Sequence, residues 1–273
     1  RLTQAFVNCE KLQSHMHFLL SKGGLYKVYN NNLLYHGCIP LNEDGSFKSV
    51  KIYGRSYKGK ALYEVLESYV RKGFYAIDEK ERKRGKDMMW YIWLNENSPL
   101  FGKDKMATFE RYFLAEKETH KEKKNPYYLL LEDEKVICHI LKEFGLENED
   151  AHIINGHVPV KCKDGEKPIK CGGKVLVIDG GFSRAYQKET GIAGYTLIYN
   201  SYGLILAAHE PFESTEAAIE KESDIHSDST VVKRTLERKK VEDTDVGRYL
   251  KEQIADLEVL LAAYRSGVIA ERL

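Results

Sequence analysis

The sequence has 273 residues, with 42 lysines and arginines against 41 aspartates and glutamates, and 42% of its residues are hydrophobic. These values are typical of a folded globular protein, and they argue against intrinsic disorder and against a nucleic-acid binder that depends on net positive charge. No apolar run reaches the roughly 18 residues of a membrane span, so the sequence predicts neither a membrane protein nor a nucleic-acid-binding protein.

The five cysteines are scattered and form no CxxC pair, which favours a reduced, cytoplasmic protein over a disulfide framework or a zinc knuckle. The first residues, RLTQAFVNCEKLQSH, contain no basic segment followed by an apolar core, so they do not resemble a secretory signal. They also lack an initiator methionine. We therefore expect this chain to be part of a longer protein or a processed product.

Apolar residues from Phe6 to Leu20 recur at steps of three and four, which predicts a helix closed by Gly23-Gly24. The apolar segments LYKVY and LLYH flank a run of three asparagines, a residue that tolerates left-handed turn geometry. Residues 25–36 are therefore predicted to form a β-hairpin.

A second apolar stripe at helical spacing covers residues 62–74, and the charged run that follows at 78–87 is typical of a solvated helix face or loop. The next segment, MMWYIWL, is apolar enough to be buried as helix or strand. Residues 115–126 are strongly polar and predict an internal boundary, and a further helix is expected from Glu134 to Phe144.

The remainder has the rhythm of β-strands. AHIIN and KVLVID come first, and GYTLIYN and LILAAHE form a predicted hairpin around Ser201-Tyr202-Gly203. Residues 213–244 are charged and weakly patterned. A last helix is predicted from about Asp245, with apolar residues facing one way up to Tyr264.

Two segments share one pattern, in which a β-rich apolar run ends in a histidine beside a glycine and a proline follows. They are LLYHGCIP, with His36, and IINGHVP, with His157. A histidine at the carboxyl end of a strand points into the crevice where open α/β sheets bind ligands, and neutral imidazole is a common ligand of divalent metals. The alternative is a structural histidine bonded to a backbone carbonyl. Composition and spacing do not separate these two interpretations.

Four longer segments resemble the class III fructose-1,6-bisphosphatases of Firmicutes and related bacteria: YHGCIPLNEDGSF, WYIWLNENSPLFGKDKMATFERYF, the stretch from INGHVPVK through KVLVIDGGFSRAYQ to NSYGL, and AAHEPFES. The resemblance implies an α/β (α+β) fold of the calcineurin-like metallophosphatase superfamily, a β-sandwich flanked by helices with two metal ions at the strand ends. Residues 1–212 would then be the carboxy-terminal part of that domain, with a helical insertion at about 60–125. Residues 213–273 would be a charged linker and a C-terminal helix.

The resemblance also implies that His36 and His157 are ligands of one metal ion, with manganese as the expected metal. The superfamily's GDxHG, GDxxDRG and GNHE blocks, which supply the other ligands and the catalytic histidine, do not occur in this sequence. We therefore expect them in a missing N-terminal part of the same enzyme. No catalytic residue is expected in this chain, and the chain alone is expected to be inactive.

The implied reaction is hydrolysis of fructose 1,6-bisphosphate to fructose 6-phosphate and phosphate, a step of gluconeogenesis, by a water activated at the two-metal centre. The remaining phosphate and the sugar need cationic and hydroxyl partners. The candidate cations are Lys103, Lys105, Arg111 and Arg184. Each has the alternative interpretation of a solvated surface charge.

Adenosine monophosphate and phosphoenolpyruvate are the effectors that the resemblance implies, and a homo-oligomer is expected. Two alternatives remain open: a catalytically inactive regulatory or assembly fragment of the same fold, and a phosphatase of the same superfamily that acts on another phosphoester. If His36 and His157 bind one metal, their nearest ring nitrogens should lie within about 5 Å even without metal, and a separation above about 8 Å would exclude a shared site.

Overall fold

The computed structural model describes residues 1–179, 182–212, 214–220, 222 and 227–270, and it is a mixed α and β structure with several sheets. The helices are α1 (Leu2–Val7), α2 (Glu10–Lys22), α3 (Gly59–Tyr75), α4 (Glu79–Leu94), α5 (Thr108–Phe113), α6 (Glu134–Glu143), α7 (Arg184–Thr190), α8 (Thr215–Glu220) and α9 (Asp245–Arg265). The strands are β1 (Tyr26–Tyr29), β2 (Asn32–Tyr35), β3 (Val50–Ile52), β4 (Arg55–Tyr57), β5 (His152–Asn155), β6 (Ile169–Lys170), β7 (Val175–Val177), β8 (Gly194–Asn200), β9 (Gly203–His209) and β10 (Ser227–Arg234).

Two compact units divide the chain, Arg1–Asp179 and Gly180–Leu273. The polar stretch 115–126, where the sequence predicts a boundary, lies inside the first unit. The division also precedes the boundary expected after residue 212. None of the helices in the described ranges is both long enough and apolar enough to cross a membrane.

The first unit is built on a five-stranded sheet with the strand order β1-β2-β5-β7-β6. β2, β5 and β7 are parallel to one another, while β1 and β6 pair antiparallel at the two edges. Every residue of β5 and β7 is buried, as expected for central parallel strands. The carboxyl ends of three parallel strands therefore meet at one edge of the sheet, and the residues that follow them lie side by side.

The hairpin predicted at residues 25–36 is confirmed. β1 and β2 are joined by Asn30 and Asn31, whose φ angles are 48° and 63°. Two consecutive left-handed residues are what a tight type I′ turn requires, and asparagine adopts this conformation more readily than most other residues with a Cβ atom. The turn fixes the register of β2 and with it the position of the residue that follows this strand.

Helices α3 and α4 pack against each other and against the small β3–β4 hairpin, inside the stretch where a helical insertion is predicted. Their shared core consists of six buried apolar residues: Val50, Ile52, Leu62, Leu66, Met88 and Ile92. The two helices touch at Gly73 and Gly85, where a Cβ atom on Gly85 would overlap with the backbone of Gly73. The absence of side chains at this crossing allows the two backbones to come into direct contact.

The first predicted helix is in fact two helices. α1 ends at Val7, and the extended residue Cys9 is the N-cap of α2. Leu20 is buried, but Phe6 and Leu19 are 46% and 58% exposed. The apolar periodicity is therefore real, although it is interrupted once and does not mark a buried face within the described part of the chain.

The segment MMWYIWL is helical and belongs to α4, and the expectation that it is buried holds for only one side of the helix. Met88 and Ile92 lie in the core, whereas Trp90 and Trp93 are 66% and 68% exposed. An amphipathic helix buries one stripe of its surface, so a continuously apolar segment at the end of a helix leaves part of its apolar surface open.

The second unit contains an antiparallel sheet with the order β10-β9-β8. The predicted hairpin is confirmed, with Asn200 paired with Gly203 at its turn. β10 contradicts the expected charged linker, because Ser227–Arg234 pairs with β9 along its length. Most side chains of β10 are exposed, so this strand shows no hydrophobic alternation from which it could have been predicted. The predicted C-terminal helix is confirmed as α9.

Candidate functional site at the strand ends

Two histidines meet where β2 and β5 end. His36 follows β2 directly, and His157 follows β5 after Gly156. The backbone N–H of Gly156 donates a hydrogen bond of 2.9 Å to the carbonyl oxygen of His36, which extends the parallel pairing by one step. Nε2 of His36 lies 2.9 Å from Nδ1 of His157, and the ring centroids are 4.7 Å apart. The proximity predicted from the sequence is confirmed, while metal binding by the pair stays a prediction.

The hydrogen-bond network fixes the tautomer of His157. Its Nε2 lies 3.0 Å from the carbonyl oxygen of Phe101. A carbonyl oxygen can only accept, so in the neutral ring Nε2 carries the hydrogen and Nδ1 presents a lone pair. His36 then donates from Nε2 to that lone pair. The nitrogen of His157 that faces His36 is therefore the one with ligand character.

The surroundings of His157 also favour the neutral form of its ring. Burial of the half-buried ring, followed by the charge of His36 and then that of Lys103, lowers the pKa of His157. The neutral form, which is the form that binds metals, is thereby favoured. The residue also has a left-handed backbone, with φ of 67°, a conformation enriched at functional positions when a residue other than glycine adopts it.

Asn155 links the two histidine segments through a side-chain hydrogen bond. This residue ends β5 and is only 2% exposed. Its Nδ2 donates a hydrogen bond of 3.1 Å to the carbonyl oxygen of Gly37, whereas its buried Oδ1 lacks a hydrogen-bond partner among the described residues. Asn155 is not among the site residues predicted from the sequence. Its position directly before the glycine of the second histidine segment was the signal that could have identified it.

A third segment, Pro99–Phe101, contacts both histidine segments. The backbone N–H of Cys38 donates to the carbonyl oxygen of Pro99 over 2.9 Å, and Phe101 accepts from His157. A Cβ atom on Gly37 would overlap with the same Pro99 oxygen. Glycine is thus required after His36 because the backbone of this segment approaches closely.

Asp179 is a further charged group near the site that is not among the residues predicted from the sequence. It follows β7, the third parallel strand, and an added Cβ on Gly156 would lie 3.6 Å from the Cβ of Asp179. Its charge opposes the lowering of the His157 pKa. The rule that side chains following parallel strands share one edge identifies Asp179 as readily as the two histidines.

The candidate cations are placed in different surroundings. Lys103 forms an ion pair of 2.7 Å with Glu122, and Arg111 lies 3.4 Å from the other oxygen of that carboxylate. Burial alone would raise the pKa of Glu122, but hydrogen bonds from Lys103 and from the N–H of Ala107 leave the pKa lowered. Lys105 donates to the carbonyl oxygen of Thr119 over 2.7 Å.

Lys103 is the candidate whose charge acts on His157, since it contributes to the lowered pKa of that residue. Arg184 lies in the second unit, exposed, at the first position of α7. Gly180 and Gly181, which begin the GGFSRAYQ motif, lie outside the described residues.

An open cleft of about 1580 Å³ lies over one face of the sheet, beside His36. Its wall includes Leu34, His36, Ile154 and Gly156 from the sheet and Arg71 from α3. The volume exceeds the range of about 300–1,000 Å³ that is usual for small-molecule sites. Leu34 is 36% exposed although its strand is paired on both sides, so this face of the sheet has room for a group larger than a metabolite.

The described residues fit a divalent metal only in part. The hydrogen bond from Nε2 of His157 to a backbone carbonyl is the arrangement usual for metal-bound imidazoles. However, the described ranges contain no group of three or more histidine, cysteine, aspartate or glutamate side chains that could hold a metal ion. The arrangement supplies two ligands, whereas divalent-metal sites of the zinc type present three or four from protein.

The family model and the individual proteins that this chain resembles carry the same description. A family model described as Firmicute fructose-1,6-bisphosphatase matches residues 1–266. Proteins named fructose-1,6-bisphosphatase class 3 from Clostridium novyi and Alkaliphilus metalliredigens are each 58% identical to this chain over its whole length. The protein of that name from Clostridium acetobutylicum is 57% identical over 99% of the chain. The chain spans 41% of the length of each of these relatives. A comparison with the solved structures finds no significant match.

Proposed function

The chain belongs to the Firmicute fructose-1,6-bisphosphatase family, and we propose that it takes part in the hydrolysis of fructose 1,6-bisphosphate to fructose 6-phosphate and phosphate. The relatives named for this activity are longer than this chain, which spans 41% of their length. The activity is therefore proposed for a protein in which further residues act together with the chain.

The observation that supports the proposal most strongly is the 2.9 Å separation of His36 Nε2 and His157 Nδ1 at the edge where parallel strands end. Two imidazole nitrogens this close suit two ligands of one divalent metal ion once the hydrogen of His36 moves from Nε2 to Nδ1, because a carbonyl oxygen already fixes the tautomer of His157. Manganese is the metal expected from the family resemblance. When bound, the metal would act as a Lewis acid on the phosphoryl group and lower the pKa of a bound water.

The chain's own residues hold the two histidines in position and orient their rings. The Phe101 carbonyl keeps the hydrogen of His157 on Nε2, and the strand pairing with the Asn155–Gly37 bond fixes the distance between the histidine segments. Side chains held by packing and by such bonds keep a site within the tolerance that catalysis needs.

Residues outside this sequence complete the centre in this proposal. Two imidazoles fall short of the usual ligand number, and the sequence contains none of the three metallophosphatase blocks that it would need. The five-stranded sheet would then form one layer of the calcineurin-like sandwich, and the open face beside His36 would be covered by the other part of that fold.

Lys103 is the most favourable of the four candidates for binding substrate phosphate. Its charge acts on His157, and its present partner Glu122 is a single carboxylate that a phosphate group could replace. Lys105, Arg111 and Arg184 remain candidates on the resemblance alone. Regulation by adenosine monophosphate and phosphoenolpyruvate and assembly into a homo-oligomer belong to the same proposal.

A cytoplasmic location and a role in gluconeogenesis are also part of the proposal. The location is supported by the free thiols of Cys9, Cys38, Cys138 and Cys171, since structural disulfides are rare in a reducing compartment. The role in gluconeogenesis follows from the reaction.

A chimera in which this chain replaces its match in the Clostridium novyi relative tests the function. We expect manganese-dependent release of phosphate from fructose 1,6-bisphosphate, and much slower release from other sugar phosphates and from a phosphoserine peptide. Treatment with a chelator is the control and should abolish turnover until manganese is returned. A chimera that prefers another phosphoester would favour the related-phosphatase alternative. A folded, metal-loaded but inactive chimera would favour the regulatory one.

A further inference from the structure

Helix α9 presents an apolar face that the described part of the chain leaves open. The face consists of five residues that are 43–63% exposed: Leu250, Ile254, Leu257, Leu261 and Tyr264. The main contacts of α9 within the chain are with the short 3-10 turn Val241–Asp243 near its amino-terminal end. Helices of globular proteins owe most of their stability to packing of an apolar face, so a helix of 21 residues with this exposure requires a partner.

The spacing of these residues is that of a coiled coil. The steps from Leu250 to Tyr264 alternate between four and three, which places Ile254 and Leu261 at heptad position a. Leu250, Leu257 and Tyr264 then occupy position d. Apolar residues thus fill the a and d positions of two consecutive heptads, which is the pattern of a coiled-coil seam.

The side of the helix away from the seam is polar or small over most of its length. Arg248, Glu252 and Asp256 lie at heptad positions b, f and c. Tyr249 at position c and Val259 at position f are the exceptions, with exposed fractions of 59% and 71%. The apolar surface is therefore concentrated in a stripe, as required for pairing with one other helix.

We propose that α9 pairs with α9 of a second copy of this chain in an antiparallel, two-stranded coiled coil. In an antiparallel pair, a residue at heptad position a faces a residue at position d of the other helix. When the two helices overlap fully, Leu250 faces Leu261 of the second copy and Ile254 faces Leu257. The stripe is thus complementary to itself from Leu250 to Leu261, while Tyr264 lies opposite Gly247, a buried position beside the carbonyl oxygen of Val241.

The flanking charges favour the antiparallel orientation. In this register Lys251 of one helix lies beside Glu258 of the other, and symmetry repeats the pair. In a parallel pair the neighbours would be Val246 for Lys251 and Gln253 for Glu258, so no opposite charges would meet. Lys251 lies 3.4 Å from Glu242 of its own chain, but its side chain is 61% exposed and remains open to a second carboxylate.

The apolar area is sufficient for a stable dimer. Leu260, at position g and 42% exposed, joins the five seam residues, which gives six apolar side chains on each helix. Removing roughly 100 Å² of each from water in both copies buries on the order of 1,200 Å². Specific protein interfaces begin at about this size.

The oligomeric state of the 273-residue chain, measured by light scattering and sedimentation over a range of concentrations, tests the pairing. We expect a dimer whose dissociation constant rises at least about 100-fold in Ile254→Asp, because two carboxylates enter the seam. Val259→Asp is the matched control, since it makes the same change at a β-branched residue outside the seam, and its dimer should be unaffected. Circular dichroism of both variants checks that the chain remains folded.

A charge exchange tests the orientation. Glu258→Lys should weaken the dimer about fivefold, because two attractive pairs become repulsive, and adding Lys251→Glu should recover part of that loss. A double variant no stronger than either single variant would overturn the antiparallel arrangement. A wild-type chain that is monomeric at about 100 µM, or an Ile254→Asp variant that dimerises like the wild type, would overturn the coiled coil itself.

Discussion

At the residue scale, the two ring nitrogens of His157 have different partners, and this difference governs what the histidine pair can bind. Nε2 is engaged with the Phe101 carbonyl, and Nδ1 faces His36. A structural histidine and a metal-binding histidine can both donate this hydrogen bond to a carbonyl oxygen. The second contact places two imidazole nitrogens 2.9 Å apart, close enough for both to bind one metal ion once the hydrogen between them is moved.

Replacement of His157 separates the two roles. In the chimera, His157→Asn removes the imidazole while asparagine tolerates the left-handed backbone. Because metal clamping is worth several kcal/mol in the transition state, we expect turnover to fall about 10³-fold, with a thermal midpoint lowered by no more than a few degrees.

The matched control is His139→Asn, which changes an exposed histidine stacked on Phe47 outside the site. In that variant, both the turnover and the thermal midpoint should stay near the wild-type values. A His157→Asn chimera that loses its thermal stability and keeps its specific activity would identify His157 as a structural residue.

At the scale of elements, the close crossing of α3 and α4 depends on two glycines, because the helices meet there backbone to backbone and not through interlocking side chains. The residues around the contact are strongly charged, and the helices can approach only because Gly73 and Gly85 have no Cβ. The approach brings Met88 and Ile92 of α4 onto Leu62 and Leu66 of α3. A charged run that looks like an exposed helix face thus contains one position with a strict steric demand.

Gly85→Ala tests this packing in the 273-residue chain. Alanine improves intrinsic helix propensity by about 1 kcal/mol, but the collision with the backbone of Gly73 forces the helices apart and costs more. We expect a net loss of about 1–2 kcal/mol in the free energy of unfolding, measured with denaturant, because the collision costs up to about 3 kcal/mol and the propensity gain offsets about 1 of it. Lys83→Ala, at an exposed position of α4, should change it by less than about 0.5 kcal/mol. An unchanged or higher stability of Gly85→Ala would contradict the close crossing.

At the scale of the whole molecule, the number of ligands limits what the chain can do. It supplies a well-formed pair of imidazoles, while the described ranges contain no larger group of ligating side chains. The chain also spans only 41% of the length of its relatives. A metal centre with the usual three or four protein ligands would therefore need ligands beyond this histidine pair.

We predict that the 273-residue chain alone hydrolyses fructose 1,6-bisphosphate with added manganese at less than about 1% of the rate of the chimera, because the loss of most metal ligands removes several kcal/mol of transition-state stabilisation. Phosphate release is measured for both proteins at equal concentration. Circular dichroism and cooperative unfolding establish that the isolated chain is folded. Turnover by the isolated chain at a rate comparable to that of the chimera would refute the prediction.

The sequence by itself determined the elements whose signals are local. The Asn30–Asn31 turn has one favourable geometry, and α6 and α9 follow their apolar periodicity. The two histidine segments could also be recognised as strand ends. Local chemistry suffices for these features because each depends on backbone preference or on a repeat of two or 3.6 residues.

Tertiary structure decided the features that depend on a neighbour distant in sequence. β10 became a strand because β9 offered hydrogen bonds, and Trp90 was left exposed because only one side of α4 met a core. The 2.9 Å contact between His36 and His157 follows from the parallel pairing of β2 with β5, across 121 positions of sequence. Sheet order and helix crossings are set by long-range packing, which no local pattern encodes. The histidines were therefore visible in the sequence, whereas the pair exists only in the fold.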